Sequence, residues 1–349
     1  MKRIPELDGL RAIAIILVIG WHYVSGLGLT ATPIGQAFRL GWSGVDLFFV
    51  ISGYLIGGIL LDARESANYF RVFYGRRAFR ILPLYGLTVA GCLLVFRVDT
   101  SPLPAWSYAV FGQNVFNAIT GNWGSHWLNP TWSLAVEEQF YLTLPLIVRF
   151  APVRALPWLA GAGVIAAPIL RAACSSHMAS YTLMPCRLDC LGMGVLLMFA
   201  MRHNAARAFL AEWSLPACVV FGFRYLLVRT PNEQVMDPLW VCLFWSAVVA
   251  FALTHTGKRF SRLLNSTPMQ HVGKYSYSIY LFHQPTFILI GAIAAGPALV
   301  IFAALTTFSL ARLSWLYLEY PLIQIGHKFR YDWSHPNNVA PHRYVVDSL

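Results

Sequence analysis

Apolar residues run through this chain in long blocks, separated by short polar clusters. Several blocks reach about 17 residues or more with almost no charge, the length a helix needs to cross a hydrocarbon layer. Read as helices, they fall near 10–28, 44–61, 81–97, 132–149, 155–171, 188–201, 213–229, 238–256, 275–292 and 296–318. Short alternating strands of the kind a membrane β-barrel requires are not visible. One further segment, SYAVFGQNVFNAIT at 107–120, is apolar enough for a short helix. The pattern predicts an all-α fold: a polytopic membrane helix bundle of about ten transmembrane helices, with 107–120 as a re-entrant or interfacial helix. Non-helical backbone at membrane depth is tolerated where protein buries it.

Composition agrees. The 349 residues are 57% hydrophobic and 12% charged, against about 25% charged in soluble domains. Residues 1–330 are expected to form one integral membrane domain, and 331–349, with SHPNNVAPH, a polar and poorly ordered cytoplasmic tail. No internal repeat or added soluble domain is visible. MKRIPELDGL lacks a small-residue cleavage pattern, so the first block is read as a retained helix.

The net charge of +11 does not point to nucleic acid, because the basic residues sit in clusters between apolar blocks. Lys2, Arg3 and Arg11 precede the first span, and Arg64, Arg71, Arg76, Arg77 and Arg80 follow the second. Arg149 and Arg154 follow the fourth, Arg202 and Arg207 the sixth, Lys258, Arg259, Arg262 and Lys274 the eighth, Lys328 and Arg330 the tenth. All share one side if both termini are cytoplasmic, as the positive-inside rule requires. A crossing by 107–120 would move Arg149 and Arg154 outside.

Ionisable residues within a span are costly and mark function more often than structure. Here they are His22, Glu137, Glu138, His283, Arg224 and, ending the last span, Glu319. His22 lies about twelve residues into its span, roughly 18 Å deep. Glu137 and Ser52, entering from the opposite side, lie about 8 and 12 Å deep, so three helices bring polar groups to similar depth. Arg11 and His22 are separated by about three turns and share a face, roughly 16–17 Å apart. Glu137 and Glu138 point about 100° apart, so one is expected to face the core and the other to meet Trp or Tyr donors at the rim. His283 in YLFHQP reads equally as a cap for carbonyls freed by Pro285. Arg77 and Arg80 share a face and form a candidate anion site; a solvated basic face is the plainer reading. Trp42, Trp132 and Trp240 suffice as interfacial anchors, and Arg224 reaches a boundary by snorkelling. Cys174, Cys186 and Cys190 cluster around one loop, where a bridge among them and three free thiols are both open. No cluster has metal-ligand spacing, so no metal is expected.

Seven segments, in order, carry a resemblance: LDGLRAIAIILVIGWH, GVDLFFVISGYLI, FYGRRAFRILPLY, PTWSLAVEEQFYLTLPL, CRLDCLGMGVLL, KYSYSIYLFHQP and WLYLEYPL. Together they resemble the membrane-bound acyltransferase 3 family, O-acyltransferases of bacterial surface polysaccharides and related acceptors, over about residues 5–325. The resemblance implies a multi-pass protein of the bacterial inner membrane and a basic loop carrying Arg77 and Arg80. It implies an acyl-CoA donor, most often acetyl-CoA, on the cytoplasmic side. It also implies an acceptor hydroxyl on a glycan or lipid-linked oligosaccharide on the other side. Some members of that family carry an added extracytoplasmic domain; this chain reads as a stand-alone member. On this reading Arg11, Arg76, Arg77 and Arg80 hold the donor, and His22 is general base. Glu137 or Glu138 orients the imidazole or binds sugar, and Ser52 or a tryptophan N–H steadies the oxyanion. Trp132, His283 and Glu319 are candidate substrate contacts. An acyl-histidine or acyl-serine intermediate is a variant. The competing class is a polytopic transporter or flippase of a glycan or acylated lipid, which would often show two related halves; none are visible.

Overall fold

The computed structural model describes residues 3–100, 102–227 and 236–333. Ten long helices carry the described chain, and no strand occurs among these residues. They are α1 (Pro5–Gly26), α2 (Gly44–Ala63), α3 (Tyr69–Ala90), α4 (Thr131–Phe150) and α5 (Leu156–Ala173). The second half holds α6 (Leu188–Arg202), α7 (Asn204–Leu226), α8 (Asp237–Thr254), α9 (Ser276–Gly291) and α10 (Gly296–Ser314). All ten expected spans correspond to these helices. Eight lie in stretches long and apolar enough to cross a membrane. The other two are α4, diluted by Glu137, Glu138 and Gln139, and α9, with 16 residues. The protein is a multi-pass membrane helix bundle.

Burial sorts the helices. α2 is apolar all round, with Leu47, Phe49, Val50, Ile51, Ile56 and Leu60 buried, the pattern of a central helix. α7 leaves Val219, Val220 and Phe223 exposed, and α5 leaves Trp158, Ile165 and Ile169 exposed; these are rim helices facing lipid. α2 crosses α6 backbone to backbone. A Cβ on Gly53 would overlap the Leu191 carbonyl, and one on Gly194 the Val50 carbonyl. Such small-residue crossings let membrane helices pack without a hydrophobic driving force.

Three segments differ from expectation. α3 starts at Tyr69, so FYGRRAFR is helix rather than a basic loop. Its apolar face, with Val72 and Phe73 buried, is interleaved with arginines that lower its hydropathy. Residues 107–120 form two short helices, Trp106–Ala109 and Gln113–Thr120, neither long enough to cross. Protein does bury this segment's polar groups: Gln113 donates to the Thr131 carbonyl (2.8 Å), and Asn114 to the Thr182 carbonyl (3.1 Å). The last span continues through a π turn, Trp315–Glu319, into Tyr320–His327. Of the tail expected over 331–349, Tyr331–Trp333 are described and the rest lies outside the described residues.

The basic clusters gather at one end of the bundle. There Arg64 donates to the Ala151 carbonyl (2.9 Å), Arg202 pairs with Asp62 (2.6 Å), and Asn68 donates to the Arg330 carbonyl (2.8 Å). At the other end lies a buried ion network that sequence reading missed. Arg187 pairs with Asp46, and Arg171 with Asp189 at 2.7 Å, all four side chains fully enclosed. The expected span limits fall within two residues of each, which made them look like loop ends. Arg224, given no role above, pairs with Asp237 at 2.8 Å and ties α7 to α8.

Removing one member of that network leaves a buried charge unpaired. Arg187→Met should destabilise the protein by about 3–5 kcal/mol. Thermal unfolding in detergent checks this, and adding Asp46→Leu to the same chain should restore most of the loss. An unchanged midpoint for Arg187→Met would refute the assignment.

Candidate active site

α1 carries Arg11 toward the basic end of the bundle and His22 toward the other. Between α1, α2, α3, α4 and α9 lies a cavity. Its charged wall consists of Arg11, Arg77, Arg80, Glu137 and Glu138. A second cavity opens among Arg3, Asp8, Lys274, Gln324 and His327. Arg11 and Arg80 line both cavities. These two guanidiniums therefore form a shared partition between a basic mouth and a polar interior.

Inside the central cavity, the Ser52 hydroxyl donates to Glu137 Oε1 at 2.6 Å, and Tyr141 donates to Ser52 Oγ at 3.2 Å. The agreement in depth expected for Ser52 and Glu137 is a direct hydrogen bond. The Ser52 proton is thereby committed to the carboxylate and not turned to an oxyanion. Arg77 lies over the Tyr141 ring, 4.9 Å from its centroid. Both Glu137 and Glu138 line the cavity, contrary to the expectation that one would turn to the rim. The cavity spans enough of α4 to meet both directions of a 100° pair.

His22 is not in the wall of the central cavity. It sits against α9, where His283 Nε2 and His22 Nδ1 are 2.9 Å apart and the rings stack with centroids at 5.0 Å. His283 Nδ1 lies 2.6 Å from the Tyr280 carbonyl oxygen. A carbonyl only accepts, so this nitrogen carries the hydrogen, and Nε2 of the neutral ring is left as an acceptor. His22 Nδ1 must then donate, leaving a lone pair on His22 Nε2. This assignment follows from the hydrogen-bond network. Tyr280, one turn away on α9, does line the cavity. Its hydroxyl donates to the Pro130 carbonyl (2.7 Å) and accepts from Ser133 (2.6 Å). His283 therefore does not cap the carbonyl freed by Pro285, which is that of Leu281; it bonds the Tyr280 carbonyl instead and holds His22.

Besides His22 and His283, three sequence candidates lie outside both cavities. Arg76 donates to the Phe329 carbonyl from Nε and Nη2 (2.9 and 2.7 Å) and holds the end of the described chain. Trp132 packs between Tyr181 and Phe49. Glu319 accepts from Ser278 (2.6 Å) and Ser314 (2.9 Å), joining α9 to the last helical segment. Conversely, Tyr141, Ser133, Ser276, Tyr277 and Tyr280 were missed. Their spacing carried a signal: Tyr141 lies four residues after Glu137, and Tyr280 four after Ser276, one face of a helix in each case.

The acyltransferase 3 model, described as an acyltransferase domain, matches residues 4–318. O-acetyltransferase OatA of Staphylococcus aureus (strain NCTC 8325 / PS 47) is 26% identical over 372 residues, covering 94% of this chain and 58% of OatA. YrhL of Bacillus subtilis (strain 168), named provisionally as a peptidoglycan O-acetyltransferase, is 28% identical over 378 residues, covering 94% of this chain and 56% of its own. The chain thus spans less than two thirds of these relatives' length. No solved structure matches. The domain match takes in Arg11, Arg77 and Arg80, the Ser52–Glu137 pair and the His22–His283 pair, and the chain belongs to the acyltransferase 3 family.

Proposed function

We propose that this protein is a membrane O-acyltransferase. It moves an acyl group, acetyl first among them, from cytoplasmic acyl-CoA to a sugar hydroxyl of an exported or surface polysaccharide or its lipid-linked precursor. Both termini are cytoplasmic in the bacterial inner membrane, and the basic mouth faces the donor. The observation that carries this reading is the partition of Arg11 and Arg80 between the two cavities. A donor with a polyanionic head and a long neutral arm suits it: phosphates stay among guanidiniums, which bind them by charge-assisted hydrogen bonds, while the arm passes inward. The acceptor class draws on the relatives' names, O-acetyltransferase and peptidoglycan O-acetyltransferase.

In the proposed step, His22 Nε2 takes the proton of the acceptor hydroxyl as its oxygen attacks the thioester carbonyl. The tetrahedral intermediate then expels the CoA thiolate, which takes up a proton. His283 accepts from His22 Nδ1–H, fixing the productive tautomer and supporting the imidazolium that forms, as the third member of a catalytic triad does. A second reading rests on the 2.6 Å Ser52–Glu137 bond. It has nucleophile-and-base geometry and would pass the acyl group through Ser52. Intact-mass analysis after donor alone separates the two: an acetyl increment on wild type, absent in Ser52→Ala, favours the covalent route.

The whole proposal is tested with labelled acetyl-CoA and a candidate glycan on the purified protein in vesicles. Label on the glycan supports it. Uptake of intact glycan without label supports the transporter instead. His283→Leu should lower kcat by roughly 10–1000-fold with KM for the donor unchanged, and His283→Gln, whose amide oxygen can accept, should recover part of it. Equal losses in both variants would deny His283 this positioning role.

A further inference from the structure

Among the cysteines, Cys174 and Cys186 have their sulfurs 3.6 Å apart. Cys174 ends α5 and is partly exposed, and Cys186 lies in the turn Met184–Arg187 that opens α6. Cys190, the third member of the sequence cluster, is turned away: its thiol faces Asp46 Oδ1 at 3.5 Å in the closed interior. Both partners are held from behind. Arg171, three residues before Cys174, donates to the Cys186 carbonyl at 2.6 Å.

The segment between the two cysteines is a cap. Its helix His177–Thr182 places Tyr181 on Trp132, with ring centroids at 4.8 Å, and near Trp123 at 5.8 Å. Thr182 exchanges hydrogen bonds with Asn114, its carbonyl accepting and its hydroxyl donating, each at 3.1 Å. Trp132 adjoins Ser133 in the wall of the central cavity. This cap lies at the end of the bundle opposite the basic clusters, which the orientation proposed above places outside the cytoplasm.

We propose that Cys174 and Cys186 form a disulfide that staples this cap over the outer end of the cavity. A bonded pair needs the sulfurs at about 2.05 Å, so they must close by roughly 1.5 Å, within the reach of side-chain rotation. The two thiols lose two protons and two electrons, and a sulfur–sulfur bond forms. The electrons pass to a disulfide oxidant by thiol–disulfide exchange, which is reduced to two thiols. Such oxidants act outside the cytoplasm and not within it. The inference rests on the proposed orientation and not on the acyl-transfer chemistry.

The test counts thiols in membranes from acid-quenched cells, denatured and labelled with a maleimide–polyethylene glycol. With six cysteines in the chain, wild type should take four labels without reductant and six with it. Peptide mapping should recover the Cys174–Cys186 pair. Cys174→Ser should show no reductant-dependent change, and in Cys186→Ser the freed Cys174 should react in spheroplasts with a membrane-impermeant thiol reagent. Reduction should lower the thermal-unfolding midpoint of wild type by a few degrees and leave Cys174→Ser unmoved. Six labels without reductant, a different linked pair, or labelling of Cys174 only after permeabilisation would each overturn the proposal. None of these readouts depends on acetyl transfer, so a failed transferase assay leaves them interpretable.

Discussion

His22→Ala should reduce acetyl transfer to the glycan by about 10²–10⁴-fold, the usual contribution of a general base, while leaving acetyl-CoA affinity unchanged. The two halves of that expectation come from separate parts of the structure. On the proposed function, donor charge is met among Arg11, Arg80 and Lys274, which line one cavity. His22, on α1, is held apart from them against α9 through His283. Its Nδ1 hydrogen is spent on His283, so one nitrogen alone can take a proton. Single-turnover transfer from labelled donor measures the first quantity and calorimetry the second. Transfer that survives in His22→Ala would remove the base assignment and leave the Ser52–Glu137 pair as the candidate for proton abstraction. Loss of donor affinity in the same variant would mean that Arg11 and His22 do not act separately along their shared face.

The second large effect separates the arginines from one another. Arg80 lines both cavities, whereas Arg77 lines only the central one. A charge-assisted hydrogen bond contributes about 1.5–3 kcal/mol, so Arg80→Ala should raise the donor Kd by roughly 10–100-fold. Arg77→Ala should instead act on turnover, because its guanidinium lies over Tyr141 beside Glu137 and Glu138. Raising salt should weaken wild-type donor binding and affect Arg80→Ala less, since fewer charged contacts remain to be screened. Arg76→Ala should leave donor affinity intact, because its donors are used on the Phe329 carbonyl. Equal losses in Arg77→Ala and Arg80→Ala, or a loss in Arg76→Ala, would refute this division.

The long apolar blocks made the ten helices legible, because lipid demands continuous hydrophobicity over a fixed length. The depth argument grouped His22, Ser52 and Glu137; Ser52 and Glu137 do meet, since rise per residue is nearly constant along a helix, whereas His22 stands outside their cavity's wall. Hydropathy failed where charge is neutralised in three dimensions. Asp46, Arg171, Arg187 and Asp189 cancel one another across α2, α5 and α6, and no local pattern announces such partners. It also failed for α3, whose arginines disguised a helix as a loop. The tyrosines of the cavity were hidden differently, counted as apolar bulk although their hydroxyls are its hydrogen-bonding surface. His283 illustrates the limit of a single sequence: its spacing to Pro285 was visible, its contact with His22 was not.

The backbone crossing at Gly53 and Gly194 bears on how the molecule can move. Two helices whose carbonyls already touch the partner's main chain behave as one rigid plate, and the Asp46–Arg187 pair locks that plate near one end. Ser52, the neighbour of Gly53, is therefore a fixed reference point. On the proposed function, the widening that admits a glycan is expected from the opposite wall, where α9 meets α3 through the Tyr277 hydroxyl and the Ile81 carbonyl, at 2.8 Å. The α2–α6 plate is thus an anvil, against which the proposed substrate entry is expected to be a property of the α3 and α9 side.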